Sequence, residues 1–124
     1  MTEEYTASKS IYLQIADRII REIVRKELIP GDKLPSVREM AVQSGVNPNT
    51  IQRTYSELER MDIVETRRGQ GTFVTEKEDV LTILNEKVQE EVIESFIRNM
   101  KELGLTKEQM IQGVENYLSR REGE

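Results

Sequence analysis

The stretch 36–60 contains two helix starts separated by one helix stop, and this pattern constrains the fold more than any other feature. Ser36 and Glu39 form the Ser-x-x-Glu signature of a capping box, which marks the start of a helix. Gly45 can adopt the left-handed conformation that ends a helix. The Asn47-Pro48 pair then supplies an N-cap and a proline suited to the first helical position. Two short helices joined by a glycine-containing turn are typical of a helix-turn-helix.

The start of the second helix carries polar side chains that can read DNA. In a helix-turn-helix the N-terminal residues of the second helix meet base edges in the major groove. Here those residues are Asn47, Asn49, Thr50, Gln52 and Arg53. Asparagine and glutamine suit adenine, and arginine suits guanine. The alternative is a pair of helices whose polar residues form a solvated face, and these residues alone leave the two interpretations about level.

A short ribbon after the second helix favours DNA binding. Residues 63–66 and 72–74 are β-prone runs, and they flank the turn Arg67-Arg68-Gly69-Gln70-Gly71. A hairpin tipped with Arg-Arg-Gly directly after a recognition helix indicates a winged helix. We expect its tip to lie against phosphate or in a minor groove.

The motifs of this region resemble a known family. The motifs are LPSVREMA at the first helix start, NPNT at the second, and RRGQGTFV in the wing. They resemble the DNA-binding domain of the GntR family of bacterial transcription regulators, with a match from about Ser10 to Val74. The short remainder resembles the YtrA-like branch. The resemblance implies that a strand near Lys33-Leu34 pairs with the wing and that Arg38 contacts DNA.

The predicted DNA-binding residues combine the helix-turn-helix and the wing. They are Ser36, Arg38, Asn47, Asn49, Thr50, Gln52, Arg53, Arg67, Arg68, Gly69 and Gln70. Two of these arginines have a structural alternative, because Arg38 could form a surface ion pair and Arg53 could pair with Glu57 one turn on. Pro48 departs from the family, which often has a basic residue there, so base reading moves to the residues around it.

Helices flank this region on both sides. Before it, Ile11, Ile15, Ile19 and Ile23 step by four and predict a scaffold helix, capped by Ser8 or Ser10 and ending near Glu27. After it, a charged link at 75–79 leads into a long helix ending near Leu103. Gly104 and Thr106 then predict a stop and a restart, with Gln109 completing a second capping box. The last helix should return antiparallel to the long one through Met110, Ile111, Val114, Tyr117 and Leu118.

The long helix has more apolar surface than one chain can cover. Its apolar residues spread well beyond a single stripe, so we expect a second copy of the chain to bury them. A two-fold dimer would present two reading heads to a symmetric operator. The predicted interface residues are Leu84, Val88, Val92, Phe96, Ile97 and Met100.

Composition excludes several classes of protein. The chain has no cysteine and no histidine, which removes the usual ligands of zinc and haem and most nucleophilic or general-base schemes. We therefore expect no enzyme, metal or cofactor. No apolar run approaches the ~18 residues of a membrane span and the N-terminus lacks an apolar signal core, which indicates a cytoplasmic protein. Residues 1–75 carry equal numbers of acidic and basic side chains, so the net charge of −5 arises in residues 76–124.

These observations predict a mainly α fold with a small β-wing. Residues 1–75 should form a winged helix-turn-helix, and residues 76–124 an antiparallel two-helix dimerisation region. We expect a homodimeric regulator, a repressor, that binds double-stranded operator DNA and has no membrane partner. The alternative is a winged-helix scaffold that binds protein and leaves DNA alone. The C-terminal region is too short to enclose a drug-sized cavity, so a small-molecule effector stays an open question.

Overall fold

The computed structural model describes residues 10–122, with side chains through residue 120. The elements are α1 Ile11–Val24, α2 Val37–Ser44, α3 Pro48–Arg60, β1 Val64–Arg67, β2 Gly71–Val74, α4 Glu78–Glu102 and α5 Lys107–Glu122. The predicted mainly α fold with a small β-wing is confirmed. The chain divides into two compact units, one ending at Leu84 and the other beginning at Asn85. This division lies inside α4, beyond the boundary at residue 75 suggested by composition.

Helix α1 forms the back of the N-terminal core. Ile15, Ile19 and Ile23 are buried, as their spacing predicts. The helix ends at Val24, earlier than expected, because Lys26 adopts a positive φ of 65° and the Glu27 amide turns back to the Glu22 carbonyl. Ser10 is the N-cap residue, although its side chain makes no capping hydrogen bond. The alternative cap, Ser8, lies outside the described residues.

The caps of α2 and α3 are the predicted ones. The Glu39 amide donates to Ser36 Oγ at 3.1 Å, and the Ser36 amide donates to Glu39 Oε1 at 2.9 Å. Gly45 ends α2 with a φ of 69°. Asn47 Oδ1 then accepts the Asn49 amide at 2.8 Å, with Pro48 at the first helical position. The helix-turn-helix is thus specified by local hydrogen bonds.

The wing is a two-stranded antiparallel ribbon with an added bridge. Arg67 lies opposite Gly71, so the turn is limited to residues 68–70 and Arg67 belongs to the strand. Lys33 bridges to Phe73, and the Leu34 amide donates to the Thr72 carbonyl at 2.8 Å. The expected pairing of the Lys33-Leu34 segment with the wing is confirmed.

The C-terminal unit differs from expectation in what it buries. Thr106 and Gln109 form the predicted capping box at the start of α5. Met110 is buried, but the four later apolar residues expected to pack back against α4 are exposed: Ile111, Val114, Tyr117 and Leu118. Helical spacing of apolar residues predicts that a helix has an apolar face. It does not determine whether that face is buried by the same chain or by another molecule.

Leu84 also differs from its predicted role. We expected it to meet a partner subunit, but it is only 6% exposed in the single chain. It lies at the end of the N-terminal unit, where its own chain covers it. Of the six predicted interface residues, Leu84 is therefore the one that is already buried within the single chain.

Candidate nucleic-acid interface

The first turns of α2 and α3 present most of the predicted DNA-binding residues at the surface. Ser36, Arg38, Asn47, Asn49 and Gln52 are exposed, and Thr50 is half-buried. The opposite side of α3 is in the core through Ile51, Thr54, Tyr55 and Leu58. One face of α3 is therefore packed in the core, and the opposite face is available to a ligand.

Asn47 is partly committed to the fold. Its Oδ1 accepts the Asn49 amide, so the side-chain oxygen is occupied by the cap. Its NH₂ group keeps its donor capacity. Asn49 and Gln52 keep both donor and acceptor, because among the described residues no side-chain hydrogen bond engages either. A bidentate contact to adenine is therefore available to Asn49 and Gln52.

Two side chains, Tyr55 and Arg18, connect the helices of the DNA-binding head, which we define as the helix-turn-helix and wing of residues 11–74. The Tyr55 hydroxyl donates to the Pro35 carbonyl at 2.6 Å, which ties α3 to the residue preceding Ser36. Burial raises the pKa of Tyr55, so the hydroxyl stays a donor. Arg18 Nη2 donates to Met40 Sδ at 3.1 Å and to Ser44 Oγ at 3.3 Å, which ties α1 to α2. Neither of these contacts was predicted from the sequence.

Arg38 is not held by a carboxylate. Between residues 10 and 120 the structure shows no ion pair or hydrogen bond of its side chain, so the surface-pair alternative is not realised. The adjacent Glu39 is occupied by the capping box. The Ser36 backbone N–H that donates to it lowers the pKa of Glu39 below its ordinary value. Arg38 is thus a cation with free donors near the start of α2.

Arg53 does not pair with Glu57, which was the structural alternative. Glu57 binds Arg60 instead, with Arg60 Nε at 3.1 Å from Glu57 Oε1. This contact lowers the pKa of Glu57. The Arg53 guanidinium lies 4.0 Å from the centre of the Tyr12 ring in α1.

The two wing arginines have different surroundings. Arg67 lies 4.2 Å above the Phe73 ring, and its Nη2 is 3.4 Å from Glu76 Oε2 and 3.9 Å from Glu65 Oε2. Arg68, Gly69 and Gln70 form the exposed tip. Sequence reasoning placed both arginines in the turn and expected the same contact from each.

Lys33 is a basic residue at the wing that sequence reasoning did not nominate. Its Cε lies 2.8 Å from the position that a Cβ on Gly71 would take, so its side chain crosses the wing beside the tip. Gly71 has a φ of 123°, a backbone angle that residues other than glycine rarely adopt. The available signal was the expected pairing of the Lys33-Leu34 segment with the wing.

The described residues offer neither a metal site nor a membrane helix. No group of three or more histidine, cysteine, aspartate or glutamate side chains among them could hold a metal ion. No helix within residues 10–122 is long and apolar enough to cross a bilayer.

The helix-turn-helix and the wing match a known protein family. The family described as "Bacterial regulatory proteins, gntR family" matches residues 11–74. The chain is 62% identical over 117 residues to the uncharacterized HTH-type transcriptional regulator YhcF of Bacillus subtilis, covering 94% of this chain and 97% of that protein. It is 39% identical over 95 residues to the HTH-type transcriptional repressor YtrA of the same organism, covering 72% and 73% of the two chains.

Solved structures of transcription regulators also resemble the fold of this chain. A GntR family transcriptional regulator from Listeria monocytogenes superimposes with a TM-score of 0.85 at 43% identity, covering 90% of this chain and 98% of that one. The DNA-binding domain of AraR, solved in complex with operator ORX1, superimposes with a TM-score of 0.52 at 25% identity, covering 60% and 92%.

Proposed function

This chain belongs to the GntR family of bacterial regulatory proteins, and we propose that it is a homodimeric repressor that binds a two-fold-symmetric operator. Its relatives are transcription regulators with a helix-turn-helix, not enzymes. The 39% identity to YtrA confirms the resemblance to the YtrA-like branch. The AraR domain shows that a related head binds operator DNA. YtrA is named a repressor, which supports the direction of regulation proposed here.

The observation that carries the proposal is the uncommitted polar surface of the helix-turn-helix. Arg38, Asn49 and Gln52 are exposed, and none of their side chains has a hydrogen-bonded partner among the described residues. Polar side chains held at the starts of two capped helices are arranged to meet an external ligand. Double-stranded DNA supplies both the base edges and the phosphates that these residue types bind.

The candidate residues divide into two roles. Asn49, Thr50, Gln52 and the Asn47 amide group read base edges, because they carry the donors and acceptors that match bases. The other candidates contact phosphates, and they comprise the N-cap serine of α2, the arginines and the remaining tip residues of the wing: Ser36, Arg38, Arg53, Arg67, Arg68, Gly69 and Gln70. The head is close to neutral overall, so binding to random DNA should be weak and specific contacts should dominate.

The dimer is proposed from the exposed apolar residues of the C-terminal unit. Val92 is 50% exposed and Phe96 is 36% exposed, while Val88, Ile97 and Met100 are half-buried. In α5 the exposed residues Ile111, Val114 and Leu118 add to this apolar surface. Exposed apolar residues on two helices are stabilised by burial against a partner. A second copy of the chain would supply the same surface and the second reading head.

Binding of duplex DNA to variants of the head tests the proposal. The probe is a duplex selected from a randomised library on the wild-type protein, measured by gel shift. Arg38→Ala should weaken binding about tenfold or more, as expected for a charged hydrogen bond, and reduce the dependence of log affinity on log salt by about one. Asn49→Ala should weaken binding and relax the preference for one base pair.

The control is Arg21→Ala, which removes an exposed arginine of α1 that pairs with Asp17. It should leave affinity unchanged. If the wild-type protein selects no duplex, the alternative scaffold that binds protein is favoured. If a duplex is selected but both Arg38→Ala and Asn49→Ala bind it normally, these residues do not form the DNA-binding surface. Transcription from a promoter containing the selected site separates repressor from activator, because added repressor lowers transcript yield.

A further inference from the structure

Tyr12 brings α1 to the edge of the recognition helix. It is the second residue of α1 and is half-buried. Its carbonyl accepts from Thr54 Oγ1 at 3.0 Å, which fixes its backbone against α3. Its ring lies under Arg53, the residue before Thr54 in α3, and the Arg53 guanidinium carbon is 4.0 Å from the ring centre.

Stacking restrains Arg53 without using its hydrogen-bond donors. A guanidinium over an aromatic ring interacts through its flat face, and its N–H donors point outward in its own plane. Among residues 10–120 the Arg53 side chain has no carboxylate or hydrogen-bond acceptor. Glu57, one turn further along α3, is occupied by Arg60. The Arg53 guanidinium is therefore restrained by the Tyr12 ring, while its N–H donors have no partner among the described residues.

Arg53 lies on the proposed DNA-facing side of α3. It follows Asn49 by four residues, so the two share one helix face. Asn49 is in the first turn, where base edges are met, whereas Arg53 is one turn later and is drawn toward α1 by the Tyr12 ring. A cation at the edge of a recognition helix is suited to the DNA backbone, not to a base.

We propose that Tyr12 is a positioning residue for DNA binding, whose ring holds the Arg53 guanidinium so that its N–H donors meet a backbone phosphate. The inference rests on the proposed function, since it deepens the same interface. It extends that interface from the helix-turn-helix and the wing to the first turn of α1.

A double-mutant cycle on the full-length protein tests this arrangement. The variants are Arg53→Ala, Tyr12→Leu, the double variant and Tyr12→Phe, with the selected duplex as probe over a range of salt concentrations. Arg53→Ala should weaken binding about tenfold and lower the salt slope by about one, equally on the selected duplex and its single-base variants. Tyr12→Leu should weaken binding about two- to fivefold, the range of an exposed cation–π contact. Tyr12→Phe keeps the ring and should match the wild type.

The double variant decides between positioning and other roles. If Tyr12 acts through Arg53, Tyr12→Leu has no further effect once Arg53 is alanine. A further loss there would mean that Tyr12 contacts DNA or only stabilises the head, and it would overturn the proposal. Wild-type affinity of Arg53→Ala, or a changed base preference, would also overturn it.

Failure of the inference is distinguishable from failure of the proposed function. If Arg38→Ala and Asn49→Ala lose affinity while Arg53→Ala and Tyr12→Leu bind normally, only the role of Tyr12 fails. If the wild-type protein selects no duplex, both fail. Thermal unfolding of each variant separates a loss of binding from a loss of folded protein.

Discussion

The Arg67 guanidinium contacts both the Phe73 ring and the Glu76 carboxylate, with its carbon 4.2 Å from the ring centre and its Nη2 3.4 Å from Glu76 Oε2. Phe73 belongs to the wing, and Glu76 lies in the link to α4. Thr75 is fully buried, and its hydroxyl contacts Glu65 at 3.4 Å and accepts the Lys77 amide at 3.2 Å. Arg67 is therefore part of a network that joins the wing to the start of the long helix.

Glu76 should compete with DNA phosphate for Arg67. Glu76→Gln removes the charge that holds the guanidinium, so we expect tighter operator binding and a salt slope steeper by about one. Glu78→Gln is the matched control, since it removes a nearby charge that has no contact with Arg67. If the two variants change affinity and salt slope equally, the effect is one of net charge and the competition is absent.

Gly71 should be intolerant of a side chain because of its backbone conformation. Gly71→Ala places a Cβ at a φ of 123° and within 2.8 Å of Lys33 Cε. The lysine end can move, so the strained backbone should dominate and lower the free energy of unfolding by roughly 1–3 kcal/mol. Denaturant unfolding at one protein concentration measures this loss.

Gly113 is the contrasting site for that measurement. It lies within α5, has no positive φ, and has open space where a Cβ would be. Gly113→Ala should raise the free energy of unfolding by up to about 1 kcal/mol, because alanine favours the helix. Equal effects of the two substitutions would argue against strain at Gly71.

The capping box of α2 should make a pH-dependent contribution to stability. Ser36→Ala removes the acceptor of the Glu39 amide and should cost about 0.5–2 kcal/mol. The Ser36 N–H lowers the pKa of Glu39 in the folded chain. A lowered folded pKa stabilises the fold above the ordinary pKa of glutamate, and this contribution is lost as the pH falls below about 4.5.

Glu39→Gln isolates that contribution. Glutamine can still accept the Ser36 amide but does not titrate, so its melting temperature should fall less than that of the wild type between neutral and acidic pH. All other carboxylates are shared by the two proteins and cancel in the comparison. Parallel melting curves over that range would show that Glu39 does not contribute through its charge.

A charge on the exposed face of α4 should prevent self-association. Phe96→Glu places a carboxylate within the proposed apolar interface, and we expect monomers by sedimentation or light scattering. Operator affinity should fall about 100-fold or more, because two linked heads bind with a shared effective concentration. Ile83→Glu is the control, because Ile83 is also exposed on α4 but lies outside the proposed interface. Dimers that survive Phe96→Glu would contradict the interface.

The local features of the head were predictable because each depends on residues close together in the chain. The capping boxes at Ser36 and Thr106 and the left-handed Gly45 are set by neighbours within a turn of helix. Buried Ile15, Ile19, Ile51 and Leu58 follow from helical periodicity. The wing was expected from two β-prone runs around a glycine turn.

The partners of the charged and apolar surface groups were decided by the tertiary structure. Sequence spacing offered Arg53 a carboxylate one turn away, but the packing of α1 on α3 placed the Tyr12 ring beneath it and left Glu57 to Arg60. The β-pairing put Arg67 in a strand, within reach of Phe73 and Glu76. Leu84 was covered by its own chain, while the apolar residues of α5 after Met110 were not. Spacing along a chain specifies which groups share a face, but the contacts of a long side chain depend on elements distant in sequence, whose positions only the folded core determines.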